Sequence, residues 1–194
     1  MSNRDELENI HACPEAIVWA EKHPDMQAAW IACERGDWML WLAGKYSGPA
    51  ESPGRRKLVL AATECARLAW PYVREKDHNI IERCYSVAEA WGNNDPTVSL
   101  AAVKDAADAA YAAYAVYAAY AAYAADAADA AAAAYAADAY AYANAAAAYA
   151  ADADAAAAYA AKRKDVLCRA ADIVRKHYPE VPQSEAALAA KGGE

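Results

Sequence analysis

Residues 109–129 read AAYAAYAVYAAYAAYAADAAD, and the reading of this stretch decides the fold. Alanine has the highest helix propensity of any residue. No glycine lies between Gly92 and Gly192, and no proline between Pro96 and Pro179. A long tract therefore carries no hard breaker. As one straight helix, residues 97–178 would be about 120 Å long, against about 30 Å for a compact head. The tract must project as a stalk or fold back as an antiparallel hairpin. Asn144 and the pair Asp152 and Asp154 are its weakest points, because these side chains compete for backbone hydrogen bonds. The hairpin is the preferred reading, since it returns the C-terminal segment to the head.

The tyrosines of the tract do not form a stripe. A step of three residues advances about 300° around a helix and falls about 60° short of a full turn. Tyr111, Tyr114, Tyr117, Tyr120 and Tyr123 therefore spiral around the axis, and the register continues through Asp126, Asp129, Tyr135, Asp138 and Asn144. Tyr, Asp and Asn codons can differ at the first base alone, and Asp and Ala codons at the second. Slippage of a short DNA unit explains the pattern. Any use of the tract is then as scaffold, with tyrosines offering rigid amphipathic contacts for a homo-oligomer through its helices. An ice-binding face would need regularly spaced threonines, and the chain has Thr63 and Thr97 alone.

Towards the N-terminus the punctuation stays helical. Pro14 opens PEAIVWAEKH, and Pro24 starts PDMQAAWIACER with Asp25 near its N-terminus. Gly36 is expected to end that helix and Asp37 to cap WMLWLAGKY. After the loop SGPAESPG, Ser52 and Pro53 fit N-cap and first helical position of a helix running to about Val73. Its apolar face is Leu58, Ala61, Ala62, Cys65, Leu68, Ala69 and Tyr72, and Pro71 should kink or end it. A further helix spans His78 to Trp91 and closes at Gly92. No segment alternates with period two. All six tryptophans lie before residue 100. KRKDVLCRAADIVRKHYP regains an amphipathic pattern that needs an apolar partner. The expectation is an all-α protein. A Trp-rich helical bundle head covers residues 1–96, and an Ala-rich low-complexity helical segment, a long Ala/Tyr/Asp-rich helix or hairpin, covers 97–161. A C-terminal helix over 162–182 packs back on the head, and a disordered tail covers 183–194.

A net charge of −8 opposes non-specific binding to DNA. The opening residues MSNRDELEN lack the apolar core of a secretory signal, and aspartates throughout the tract bar it from a membrane. The five cysteines form no CxxC; Cys33, Cys65 and Cys168 sit among apolar residues, as reduced thiols of a cytoplasmic protein do. The four histidines stand apart, and no HExxH, GxSxG, P-loop or GxGxxG is present. These patterns predict no catalytic residue, no metal, no cofactor and no enzymatic activity.

One feature breaks a local rule. Arg55, Arg56 and Lys57 occupy the first turn or so of a helix, where the dipole disfavours cations. Backbone N–H groups at a helix start attract anions, so the three form a candidate receptor for a phosphate or an acidic surface. The bland alternative is neutralisation by Glu51, Glu64 and other carboxylates in weak surface pairs. Trp38 and Trp41, three apart, are candidates to stack a base, with a place in the core as the simpler reading.

The segments ACPEAIVWAEKHPDMQAAWIACERGDWMLWLAG, SPGRRKLVLAATECARLAWPYV and KDVLCRAADIVRKHYPEVP together resemble a family of immunity-type proteins of bacteria and phages. The resemblance covers roughly residues 12–92 and 162–182. It implies an all-helical, non-enzymatic neutraliser that acts by sequestration and brings no catalytic residues. The leading expectation is that the target is a toxin protein or, in a phage-encoded case, a nucleotide-type immune signal held by Arg55, Arg56 and Lys57 with Trp38 or a tyrosine stacked on the base. The alternative is a structural protein that assembles through the alanine-rich helices and takes no small ligand.

Overall fold

The structure, a computed structural model, describes residues 2–68, 70–73, 75–112 and 155–183. Among these there are eight α-helices and no strand: α1 (Asn3–Asn9), α2 (Pro14–Ala20), α3 (Met26–Ala32), α4 (Gly36–Tyr46), α5 (Pro53–Arg67), α6 (His78–Gly92), α7 (Leu100–Ala112) and α8 (Ala155–His177). The fold is all-α. No helix among the described residues is long and apolar enough to cross a membrane.

Several helix starts follow from side chains that satisfy free backbone N–H groups. Ser2 and Asp5 close a capping box on α1. Asp25 accepts from the Ala28 N–H at 2.7 Å, so α3 begins after Asp25 and leaves Pro24 outside. Ser52 accepts from the Arg55 N–H at 3.1 Å, with Pro53 at the first helical position. Helix α5 stops at Arg67, short of Val73. Pro71 has no N–H to continue the ladder, and its ring would crowd the Arg67 carbonyl; the chain passes instead into 3-10 turns at Trp70–Tyr72 and Glu75–Asp77.

Gly36 and Asp37 depart from the sequence reading. Helix α3 ends earlier, at Ala32, and Gly36 opens α4 with Arg35 as a cap that uses no side chain. Asp37 lies inside the first turn and is held by the Arg35 guanidinium at 2.8 and 2.5 Å, so it caps nothing. The reason is packing. A Cβ on Gly36 would lie 2.4 Å from the Ala170 Cβ and 2.7 Å from the Ala170 carbonyl carbon, so α4 starts flush against α8.

Helix α5 is central and packs against α4, α6 and α8, while α7 packs on α6. Leu58, Ala61, Ala62 and Cys65 are buried as the apolar face requires, and Val59, Thr63 and Ala66 are buried as well. Small residues on α5 admit α8 closely enough for the Cys65 thiol to reach the Ala170 carbonyl at 3.7 Å. Across α5 and α6, Arg67 grips Glu82 and Glu89 with four hydrogen bonds of 2.6–3.1 Å and lies over the Tyr85 ring.

The core does not stop at residue 96. Val103, Ala107 and Ala110 of α7 belong to it, so the first helix of the alanine-rich segment is part of the head. Val166, Leu167, Ala170, Ala171 and Val174 of α8 are buried against the same body. Helices α7 and α8 are both seated on the head. The turn of the expected hairpin, most of the triplet repeat and all but the first residue of the expected tail lie outside the described residues. Beyond α8 the chain closes over α3. The Trp30 indole N–H donates to the Tyr178 carbonyl at 2.9 Å, and the Val181 N–H donates to the Gln27 side chain at 2.8 Å.

Candidate functional site

The three consecutive cations of α5 point three ways. Arg55 is buried, with 3% exposure, and its guanidinium donates to the Gly48 carbonyl at 2.8 and 3.3 Å. Gly48 has φ +78°, a conformation suited to glycine, and Arg55 fastens the loop that contains it. Arg56 lies over the Trp91 ring, 4.5 Å from its centroid, and donates to the Trp91 carbonyl. Lys57 lies over Tyr178 at 4.6 Å, and burial pushes the Tyr178 phenol up. The structure does not bring the three together: the second and third line a groove with Glu51 and Gly92, and the first is a buried strut.

The tryptophans are brought together instead. Trp19 on α2, Trp30 on α3, and Trp38 and Trp41 on α4 line one pocket of about 340 Å³, completed by Leu7 of α1, Met26, Met39 and Leu42 among others. This volume lies in the range of small-molecule sites. Trp19 and Trp38 meet edge to face, centroids 6.3 Å apart. Arg35 covers one face of Trp38 at 4.2 Å while holding Asp37. Several polar groups of the lining are engaged: Asp37 by Arg35, the Trp30 N–H by Tyr178, and the Cys33 thiol by the Arg35 carbonyl at 3.6 Å. Burial pushes the Cys33 thiol up to about 11, so it stays protonated and unreactive at neutral pH. Cys13, at the rim, is exposed.

A second cavity, of about 440 Å³, shares Trp19 and Trp38 with the first. Its other walls are Ala32, Glu34 and Arg35 with Ala160, Arg163, Lys164 and Leu167 of α8. Lys164 pairs with Glu34 at 3.3 Å, both ends largely exposed. The cations beside Trp38 are Arg35, which Asp37 holds, and Arg163 and Lys164 of α8, and not Arg55–Lys57. None of Arg55, Arg56 and Lys57 lines either of these two cavities. Among the described residues no three His, Cys, Asp or Glu side chains gather as metal ligands would.

Of the five candidates from the sequence, Trp38 and Trp41 line the tryptophan pocket and the three α5 cations do not. Sequence reasoning missed Trp19, Trp30, Arg163 and Lys164. The indoles carried a signal, being amphipathic residues at the ends of short helices; the α8 cations carried none, because more than a hundred residues separate them from α4. No protein-family model matches the chain, and no characterised protein or solved structure matches it.

Proposed function

We propose that this chain is a non-enzymatic binding protein of immunity type, which neutralises an antagonist by sequestering it, and that the tryptophan-lined pocket of the head holds it. The observation that carries this reading is the convergence of four indoles on one apolar pocket. Clustered tryptophans supply large desolvated contact area, and such residues dominate binding energy at interfaces. The two antagonists suggested by the sequence, a toxin protein and a nucleotide-type signal, meet the same lining. Either must present an apolar group there.

The experiment is native mass spectrometry of the protein purified from the cells that make it, repeated after denaturation. Stoichiometric capture predicts a bound mass that denaturation releases. The loaded form should also alkylate more slowly at Cys13, which lines the pocket and is exposed. Trp41→Ala should lower the captured fraction. Capture that survives both Trp41→Ala and Trp19→Ala unchanged, or turnover of the bound compound, defeats the proposal.

A further inference from the structure

The tryptophan pocket sets its own limits on what can enter. Trp19, Trp30, Trp38 and Trp41 line it with Met26 and Met39, so its wall is rich in indole rings and thioethers. The carboxylate in the lining, that of Asp37, is held by the Arg35 guanidinium through hydrogen bonds of 2.8 and 2.5 Å. A ligand cation would have to displace that guanidinium. A ligand anion would find no lysine or arginine among the described residues of the lining. The Cys33 thiol, pushed up to about 11 by burial, shows how strongly these surroundings disfavour charge. His11 and Cys13 are both exposed and mark the mouth, where a neutral polar group keeps its water. Size narrows the choice further. An apolar cavity of about 150 Å³ takes benzene, so the 340 Å³ here holds on the order of a dozen non-hydrogen atoms. Indoles gain from an aromatic guest beyond the area it buries, and thioethers favour ring edges.

We infer that the head binds a small uncharged aromatic compound, of two fused rings or equivalent size, with its rings among the four indoles and any hydroxyl at the mouth beside His11 and Cys13. The inference rests on the sequestration reading in using the same pocket, and it adds the chemistry of the occupant. An ionised group carried into such a lining would lose its water and gain no partner. Affinity then comes from apolar area and ring contacts alone.

The test titrates the full-length protein with 2-naphthol, with 2-naphthoate, with the saturated decahydro-2-naphthol and with AMP, following heat. 2-Naphthol should bind at one site, about tenfold or more tightly than 2-naphthoate. It should bind about threefold more tightly than the saturated alcohol. Ala16 of α2 is half-buried and lines the pocket, so Ala16→Phe puts a ring into the space. That variant should lower 2-naphthol affinity about tenfold or more. Ala12→Leu, a smaller filling of the same lining, should lower it as well. Circular dichroism confirms that each variant is folded. Equal or tighter binding of 2-naphthoate or of the saturated alcohol overturns the inference while leaving the pocket and the sequestration reading intact. Tighter binding of AMP than of 2-naphthol also overturns it, and moves the occupant to the nucleotide class. An affinity for 2-naphthol unchanged in both filled variants overturns it too, since the compound then sits elsewhere. Binding of no probe overturns this inference alone, because the sequestration reading stands or falls on the captured mass.

Discussion

Gly36→Ala should destabilise the protein although alanine is the better helix former. Propensity alone favours alanine by up to about 1 kcal/mol. Against this, the new Cβ would meet the Ala170 Cβ at 2.4 Å and the Ala170 carbonyl carbon and Ala171 nitrogen at 2.7 Å. Two of these three atoms are backbone and cannot rotate away, so α4 and α8 must separate. Overpacking of this kind costs about 1–3 kcal/mol, and the net loss should be about 1–2 kcal/mol, or a melting temperature lower by about 3–8 °C. Gly92→Ala is the control. Its Cβ would meet Leu60 Cδ2 and Cγ at 2.7 Å, the end of a half-buried side chain that can turn aside, and the Arg56 carbonyl at 3.3 Å. Urea unfolding followed by tryptophan emission and by circular dichroism measures both variants. The reasoning fails if Gly36→Ala is as stable as the parent, or if Gly92→Ala loses more. Because α4 also carries Trp38 and Trp41, Gly36→Ala should weaken whatever the pocket holds, whereas Gly92→Ala should not.

Thr63 is fully buried, and its hydroxyl has no hydrogen-bond partner among the described residues; Thr63→Val should be neutral or stabilising by up to about 1 kcal/mol in urea unfolding, and a clear loss would show that the hydroxyl is satisfied. Arg55→Ala should lower stability by about 2–3 kcal/mol through the loss of a buried, hydrogen-bonded cation, while Lys57→Ala changes little; equal losses in a melting experiment refute the distinction. Burial alone would raise the Glu64 pKa, but hydrogen bonds from Lys176 and His177 outweigh it and hold the carboxyl below its ordinary value of 4.5. A depressed carboxylate contributes stability that is present above its unfolded pKa and lost as pH falls through the folded value. Glu64→Gln should therefore flatten the stability profile below pH 4.5 by less than about 1 kcal/mol, and an unchanged acid limb rejects this. Iodoacetamide should label Cys13 first and Cys84 among the last, since Cys13 is exposed and burial pushes the Cys84 thiol up to about 12; peptide mass mapping reads the order.

The helical class was legible because its signals are local. Ser52 and Pro53 mark the start of α5, and Pro14 that of α2, through chemistry confined to one turn of chain. The α5 face was legible by its period, though not the burial of Val59 and Ala66, which follows from helices on several sides at once. Gly36 misled for a physical reason. A glycine reads as a stop when only backbone freedom is considered, and here it serves close approach to a helix some 130 residues away in the chain. The site was legible in part. Arg55 to Lys57 looked like a cluster because they are adjacent in sequence, but successive helical residues are separated by about 100° and face different neighbours. Of the cations beside Trp38, Arg35 lies three residues away in sequence, whereas Arg163 and Lys164 come from α8 and no local pattern could pair them with it.

The hydrogen bond from Trp30 to the Tyr178 carbonyl ties pocket formation to the order of synthesis. A wall of the pocket is fastened by Tyr178, which follows α8, and α8 completes the neighbouring groove. A ribosome that has made α1 to α7 has therefore made a pocket whose wall is not yet fastened. The clasp can close only when Tyr178, the residue after α8, has left the exit tunnel. A chain stopped after His177 should then bind more weakly than one stopped after Gln183, and equal binding by the two would show that the clasp has no part in the timing.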